Sequence, residues 1–141
     1  MREETGERTG RPVRSGPGLL LVIAYGTLAL AATGRSTLQV LEYFDRAPLA
    51  YLLSALAALV YVVATWALLT DRRSVASATI TVEAVGVLLV GAMSYLAPDL
   101  FPDKTVWSHF GSGYGFLPLV LPFVGLWWLR RTAPAGAPTT S

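Results

Sequence analysis

The sequence predicts an all-α integral membrane protein, a four-helix bundle with short loops and both termini in the cytoplasm. Three observations lead there. Of the 141 residues, 53% are hydrophobic and only 14% are charged, about half the charged share of an ordinary soluble domain. The uncharged runs are long, and a bilayer core takes roughly 20 apolar residues per helical span. The basic residues are also unevenly divided among the segments between those runs, which sets an orientation.

Residues 1–17, "MREETGERTGRPVRSGP", are polar, charged and rich in Gly and Pro, and read as a disordered cytoplasmic arm. Residues 132–141 read as a disordered tail of the same character. Between them, 18–131 form the transmembrane domain, with helices expected over about 18–44, 48–70, 74–97 and 110–130. The first apolar run continues through "RSTLQVLEYF", where Arg35, Gln39 and Glu42 recur on one face and Leu38 and Leu41 on another. This helix should project beyond the bilayer. The triplet Ala29-Leu30-Ala31 after basic residues resembles a signal-peptide cleavage site. The helical pattern runs on past it, however, so the span is expected to be retained. Pro48 opens the second helix, where proline costs little. The third run is interrupted once, by Glu83, and Arg130 and Arg131 stop the fourth.

With four spans, eight of the eleven Lys and Arg share one side: Arg2, Arg8, Arg11, Arg14, Arg72, Arg73, Arg130 and Arg131. Only Arg35, Arg46 and Lys104 fall on the other, among Glu42, Asp45, Asp99 and Asp103. Basic residues collect on the cytoplasmic side of short loops. Aromatic residues fit the same placement, with Trp66, Trp127 and Trp128 at the inner interface and Tyr43, Tyr51, Tyr95 and Trp107 at the outer.

Several classes of chemistry find no support. There is no cysteine, which excludes disulfides, thiolate metal sites and thiol nucleophiles. A lone His109 near Asp103 is a poor start for a metal site, and neither metal nor cofactor is expected. Asp99, Asp103, Ser108 and His109 lack a recognisable nucleophile and base spacing, so no enzymatic activity is expected. Topology accounts for the basic residues, so no nucleic-acid partner is expected either. The partners foreseen are membrane lipid and a second copy or another membrane protein.

The stretch "FGSGYGFLPLV" invites three readings. A potassium filter needs Thr-Val before Gly-Tyr-Gly and a preceding pore helix; here Phe110-Gly111-Ser112 takes that place and "PDLFPD" breaks any helix. A phosphate cradle needs a strand before the glycines, and none is patterned. The remaining reading is helix contact: Gly111 and Gly115, four apart, would form a bare strip on one helix face. Pro118 and Pro122 follow at the same spacing and should bend that helix.

Glu83 is the one ionisable residue well inside a span. Intramembrane carboxylates usually face the protein interior and mark proton, ion or ligand paths, although one can also serve packing alone through hydrogen bonds. Tyr61, and Tyr25 or Thr27, fall at similar depth and are candidate partners, and Thr79 lies one turn before Glu83 on the same stripe. No second intramembrane charge offers a next station for a relay.

The stretches "ATGRSTLQVLEYFDRAPLAYLLSALAALVYVVATWAL" and "LFPDKTVWSHFGSGYGFLPLVLPFVGLWWLRR" resemble small four-span integral membrane proteins of actinobacteria, a family without an assigned activity. The resemblance covers 18–131 and implies the topology and a bacterial cell membrane, and it carries over no catalytic residue. Small multidrug exporters share four short spans and one membrane glutamate. Theirs lies in the first helix and many lack a strong charge bias, so they are an analogy only. The function expected is a membrane interaction or assembly subunit; the alternative is an oligomeric transporter or ion pathway using Glu83.

Overall fold

A computed structural model describes residues 16–42, 44–101 and 104–133. The tail from 134 and all but the last two residues of the expected arm lie outside the described residues, as do Tyr43 and Asp103. Four α-helices are described: α1 Pro17–Glu42, α2 Pro48–Leu69, α3 Arg73–Leu96 and α4 Leu117–Arg131.

Each boundary has a local cause. Pro17 and Pro48 occupy first-turn positions, where a missing N–H costs nothing. α1 stops at Glu42, two residues short of the expected end, and a 3-10 turn Phe44–Arg46 leads to Ala47. That residue is extended, at φ −154° and ψ 72°, as the residue before a proline must be. The turn between α2 and α3 is a Schellman motif: Asp71 is left-handed (φ 59°), its N–H bonds Leu68 O at 3.4 Å, and Arg72 N–H bonds Ala67 O at 2.8 Å. So tight a turn makes α2 and α3 antiparallel neighbours.

Packing is reversed relative to a soluble bundle. Ala32, Ala50, Ala57, Ala64, Ala67 and Ala76 are fully buried, while Leu30, Leu20 and Leu89 are 80%, 69% and 60% exposed. Small residues inside let backbones approach, and large aliphatic residues outside suit lipid. α1, α2 and α3 are each long and apolar enough to cross a bilayer. The protein is therefore an all-α, multi-span membrane protein.

The segment expected as a single helix over 110–130 is broken. A 3-10 stretch, Ser108–Tyr114, meets α4 at 95°. His109, Phe110 and Gly111 are left-handed at φ 52°, 59° and 81°, and Gly115 and Phe116 follow at 65° and 62°. Helical periodicity over the stretch made the continuous reading natural, but five left-handed residues cannot belong to a right-handed helix.

α3 is the hub. It packs on α2, on α4 and on the 3-10 stretch, whereas α1 packs chiefly on α2. At one end of the bundle Arg73 Nη1 donates to Leu129 O at 3.1 Å and to Thr132 Oγ1 at 2.9 Å. This closes the C-terminal end of α4 with a cation, where both the open carbonyls and the helix dipole favour one.

Candidate functional site

Glu83 sits ten residues into α3, about 15 Å along its axis. The buried face of that helix runs Ala76, Ile80, Glu83, Val87, Val90 and Ser94, so helical spacing aims the carboxyl into the bundle. Glu83 is fully buried. Tyr25 of α1 donates its hydroxyl to Glu83 Oε1 at 2.6 Å. The backbones of α1 and α3 make little contact, and the long Tyr25 side chain bridges the gap between them. Behind Tyr25 stands Gly125 of α4, where a Cβ would lie 3.5 Å from the tyrosine oxygen.

Tyr61 of α2 completes the cluster from a second direction. Its ring lies 6.2 Å from that of Tyr25 and it interacts with the Glu83 carboxyl. It does not close a hydrogen bond to the second oxygen, and Glu83 Oε2 has no hydrogen-bond partner. Instead Tyr61 Oη accepts from Trp107 Nε1 at 2.9 Å.

Trp107 was expected at the outer interface, yet it is only 1% exposed. Residues 104–116 form an inserted segment that carries its ring into the bundle. Gly86 makes the room, since a Cβ there would stand 2.5 Å from the ring. Gly86 lies ten residues before the end of α3, so the ring reaches about 15 Å below it. Five residues further on, Gly91 makes a second notch, where a Cβ would collide with the Phe110 ring.

Irregular backbone at membrane depth persists only where its polar groups are satisfied within protein. Here Thr105 N–H bonds Ser108 Oγ at 2.9 Å, and Trp107 N–H bonds Thr105 Oγ1 at 3.0 Å. His109 N–H bonds Ser94 Oγ of α3 at 2.8 Å. The His109 ring stands edge-on to Tyr95 at 4.7 Å. From α1, Arg35 Nη2 donates to Lys104 O at 3.2 Å. Left-handed His109 and Phe110 each cost about 1–3 kcal/mol, and these contacts offset that strain.

The structure thus brings Glu83, Tyr25 and Tyr61 together and leaves Thr79 aside. Thr79 Oγ1 bonds Val75 O in its own helix at 2.7 Å, and Thr27 likewise bonds Ile23 O at 2.8 Å. Gly111 and Gly115 form no strip, because no helix contains both. Gly111 instead lets the chain fold back on Pro118, whose ring would stand 2.7–2.8 Å from a Cβ, while Gly115 faces open space. Pro118 sits in the first turn of α4, and Pro122 is buried inside it, so α4 lacks one internal hydrogen bond. The glycines that mediate close packing are Gly86 and Gly91. Their five-residue separation within "VGVLLVGAM" shows no small-xxx-small spacing and gave no signal.

Chemically, the cluster can hold a proton on the carboxyl and pass hydrogen bonds between three helices and the inserted segment. Among the described residues no group of three His, Asp or Glu could hold a metal ion. No protein-family model, curated protein or solved structure matches the chain.

One expected result follows from the glycine geometry. Gly115→Ala should destabilise by about 1 kcal/mol, the cost of a left-handed alanine. Gly111→Ala adds a clash with Pro118, worth about 1–3 kcal/mol more, and should show the larger fall in thermal midpoint in mild detergent. The reverse order would rule out the Pro118 contact as what holds the break.

Proposed function

We propose that the protein is an interaction or assembly subunit of a bacterial cell membrane, crossing it four times with both termini in the cytoplasm and carrying out no catalytic step. The resemblance to small four-span actinobacterial proteins supports that placement.

The observation that carries the interaction reading is a groove of about 470 Å³ on the outer flank of α1 and α2, lined by Thr33, Ser36, Val40, Ala58 and Val62 among others. Ser36 is only 5% exposed, and its hydroxyl has no hydrogen-bond partner. Small residues such as Ala58 on a lipid-facing flank suit a transmembrane helix of another chain, with backbones close. The polar contacts of Glu83, in turn, join the protein's own elements to one another.

The test is co-purification in mild detergent, comparing the parent with Ala58→Leu, which fills the groove. A membrane-protein partner retained by the parent and lost from the variant supports the reading. A protein that travels alone, with the same oligomeric state before and after Ala58→Leu, overturns it. The unpartnered Glu83 Oε2 favours a second reading, an ion or proton pathway, and pH-dependent flux in liposomes would select it.

Topology has its own expected result. A reporter fused after Ser141 should be cytoplasmic, Asp45→Cys should label from outside intact cells, and Arg72→Cys should not. Outside labelling of Arg72→Cys ends the four-span model.

A further inference from the structure

The end of the bundle closed by Arg73 carries a feature that topology alone does not demand. Arg72 lies over the Trp66 ring with its guanidinium carbon 5.2 Å from the ring centre, and Arg131 lies over Trp127 at 5.4 Å. Both indoles are about half exposed, 47% for Trp66 and 53% for Trp127. Exposed tryptophans on membrane helices settle at headgroup depth, so the guanidiniums stacked on them are held at that depth too.

The hydrogen bonds from Arg73 to Leu129 and Thr132 join the α2–α3 turn to the end of α4. They place Arg72 at the same end as the exposed Arg130 and Arg131. Among the described residues the only carboxylate there is Asp71, and it lies 4.0 Å from Arg73 Nε. Arg72, Arg130 and Arg131 form no ion pair among the described residues. Their planar forks match phosphate oxygens, and stacking on an aromatic face reduces the freedom lost when they bind.

We propose that this end of the bundle binds the phosphate of an anionic phospholipid headgroup, held chiefly by Arg72 and Arg131, with Arg130 adding charge. Charge complementarity selects an anion, and the depth of the two tryptophans selects a lipid over a soluble one. The proposal needs only the membrane setting and stands apart from the interaction reading above.

The experiment uses the full chain in nanodiscs of phosphatidylcholine with and without phosphatidylglycerol, with lipid retention read by native mass spectrometry and stability by thermal unfolding. Phosphatidylglycerol should be retained over phosphatidylcholine and should raise the midpoint, with both effects fading as salt rises. Arg72→Gln and Arg131→Gln should each weaken that retention by about fivefold, the factor that about 1 kcal/mol per basic residue at an anionic surface implies. Arg73→Gln should lower the midpoint in both lipids while keeping the preference, because its guanidinium serves α4. Equal retention of the two lipids overturns the proposal. So does equal protection by inorganic phosphate, which would mark an anion site with no need of lipid, and so does an unchanged preference in the double variant. Should the variants fail to fold, the parent's salt titration decides: a preference indifferent to salt overturns the proposal.

Discussion

Replacing Trp107 by alanine is expected to destabilise the protein by about 3–5 kcal/mol, the usual cost of truncating a large buried aromatic. Three losses combine there. The indole leaves a void over Gly86, Tyr61 Oη loses its donor, and the inserted segment loses its deepest contact with α3. Gly86→Leu should produce a comparable defect from the opposite side, because a Cβ already stands 2.5 Å from the ring. The two changes remove and fill the same space, so the double variant should be more stable than the sum of the single losses predicts. Thermal unfolding in mild detergent measures all three. A Trp107→Ala protein within about 0.5 kcal/mol of the parent, the range of a neutral surface change, would show that the inserted segment is not anchored by this ring.

Glu83→Lys should prevent folding. It puts a cation where Tyr25 now donates a hydrogen bond, in a fully buried position, and an unpaired buried charge costs several kcal/mol. Glu83→Gln separates packing from chemistry. Its amide oxygen can still accept from Tyr25, and its NH2 takes the place of Oε2, which has no hydrogen-bond partner to lose. The variant should therefore insert and unfold within about 1 kcal/mol of the parent, the worth of one ordinary hydrogen bond. If the carboxyl serves packing, Glu83→Gln also supports the cellular phenotype of the gene. A well-folded Glu83→Gln protein that does not support it, with partial recovery in Glu83→Asp, moves the assignment to proton or cation passage. Tyr25→Phe adds a check, since it leaves the carboxyl without its donor and should cost about 1–3 kcal/mol.

The helical character and the first three apolar helices were legible because both depend on properties that sum along the chain. Apolar runs of span length and the absence of charge need no knowledge of neighbours. Glu83 was legible for the same reason, as a lone charge in an apolar run, and matched depth brought Tyr25 and Tyr61 into view. What the sequence did not disclose is non-local. Gly111 and Gly115 carry the spacing of a helical strip, but Pro118 and the notch at Gly91 hold their neighbourhood in a left-handed path. Trp107 has the composition of an interfacial anchor, and its burial depends on Gly86, far away in sequence and not spaced to match any motif. Thr79 shares a stripe with Glu83, yet its hydroxyl turns to its own helix, a choice that spacing does not reveal.

α4 has fifteen residues, about 22 Å of helix, against a hydrocarbon core of about 30 Å. Above it the chain turns sideways through exposed Ser112, Gly113 and Gly115. On the proposed four-span topology the apolar wall on that flank ends before the bilayer does. Lipid beside α4 would then have to shorten its chains or tilt them, at a fraction of a kcal/mol per Å, while lipid beside the 22 residues of α2 meets a full-height wall. That topology implies an asymmetry in local membrane thickness around the protein.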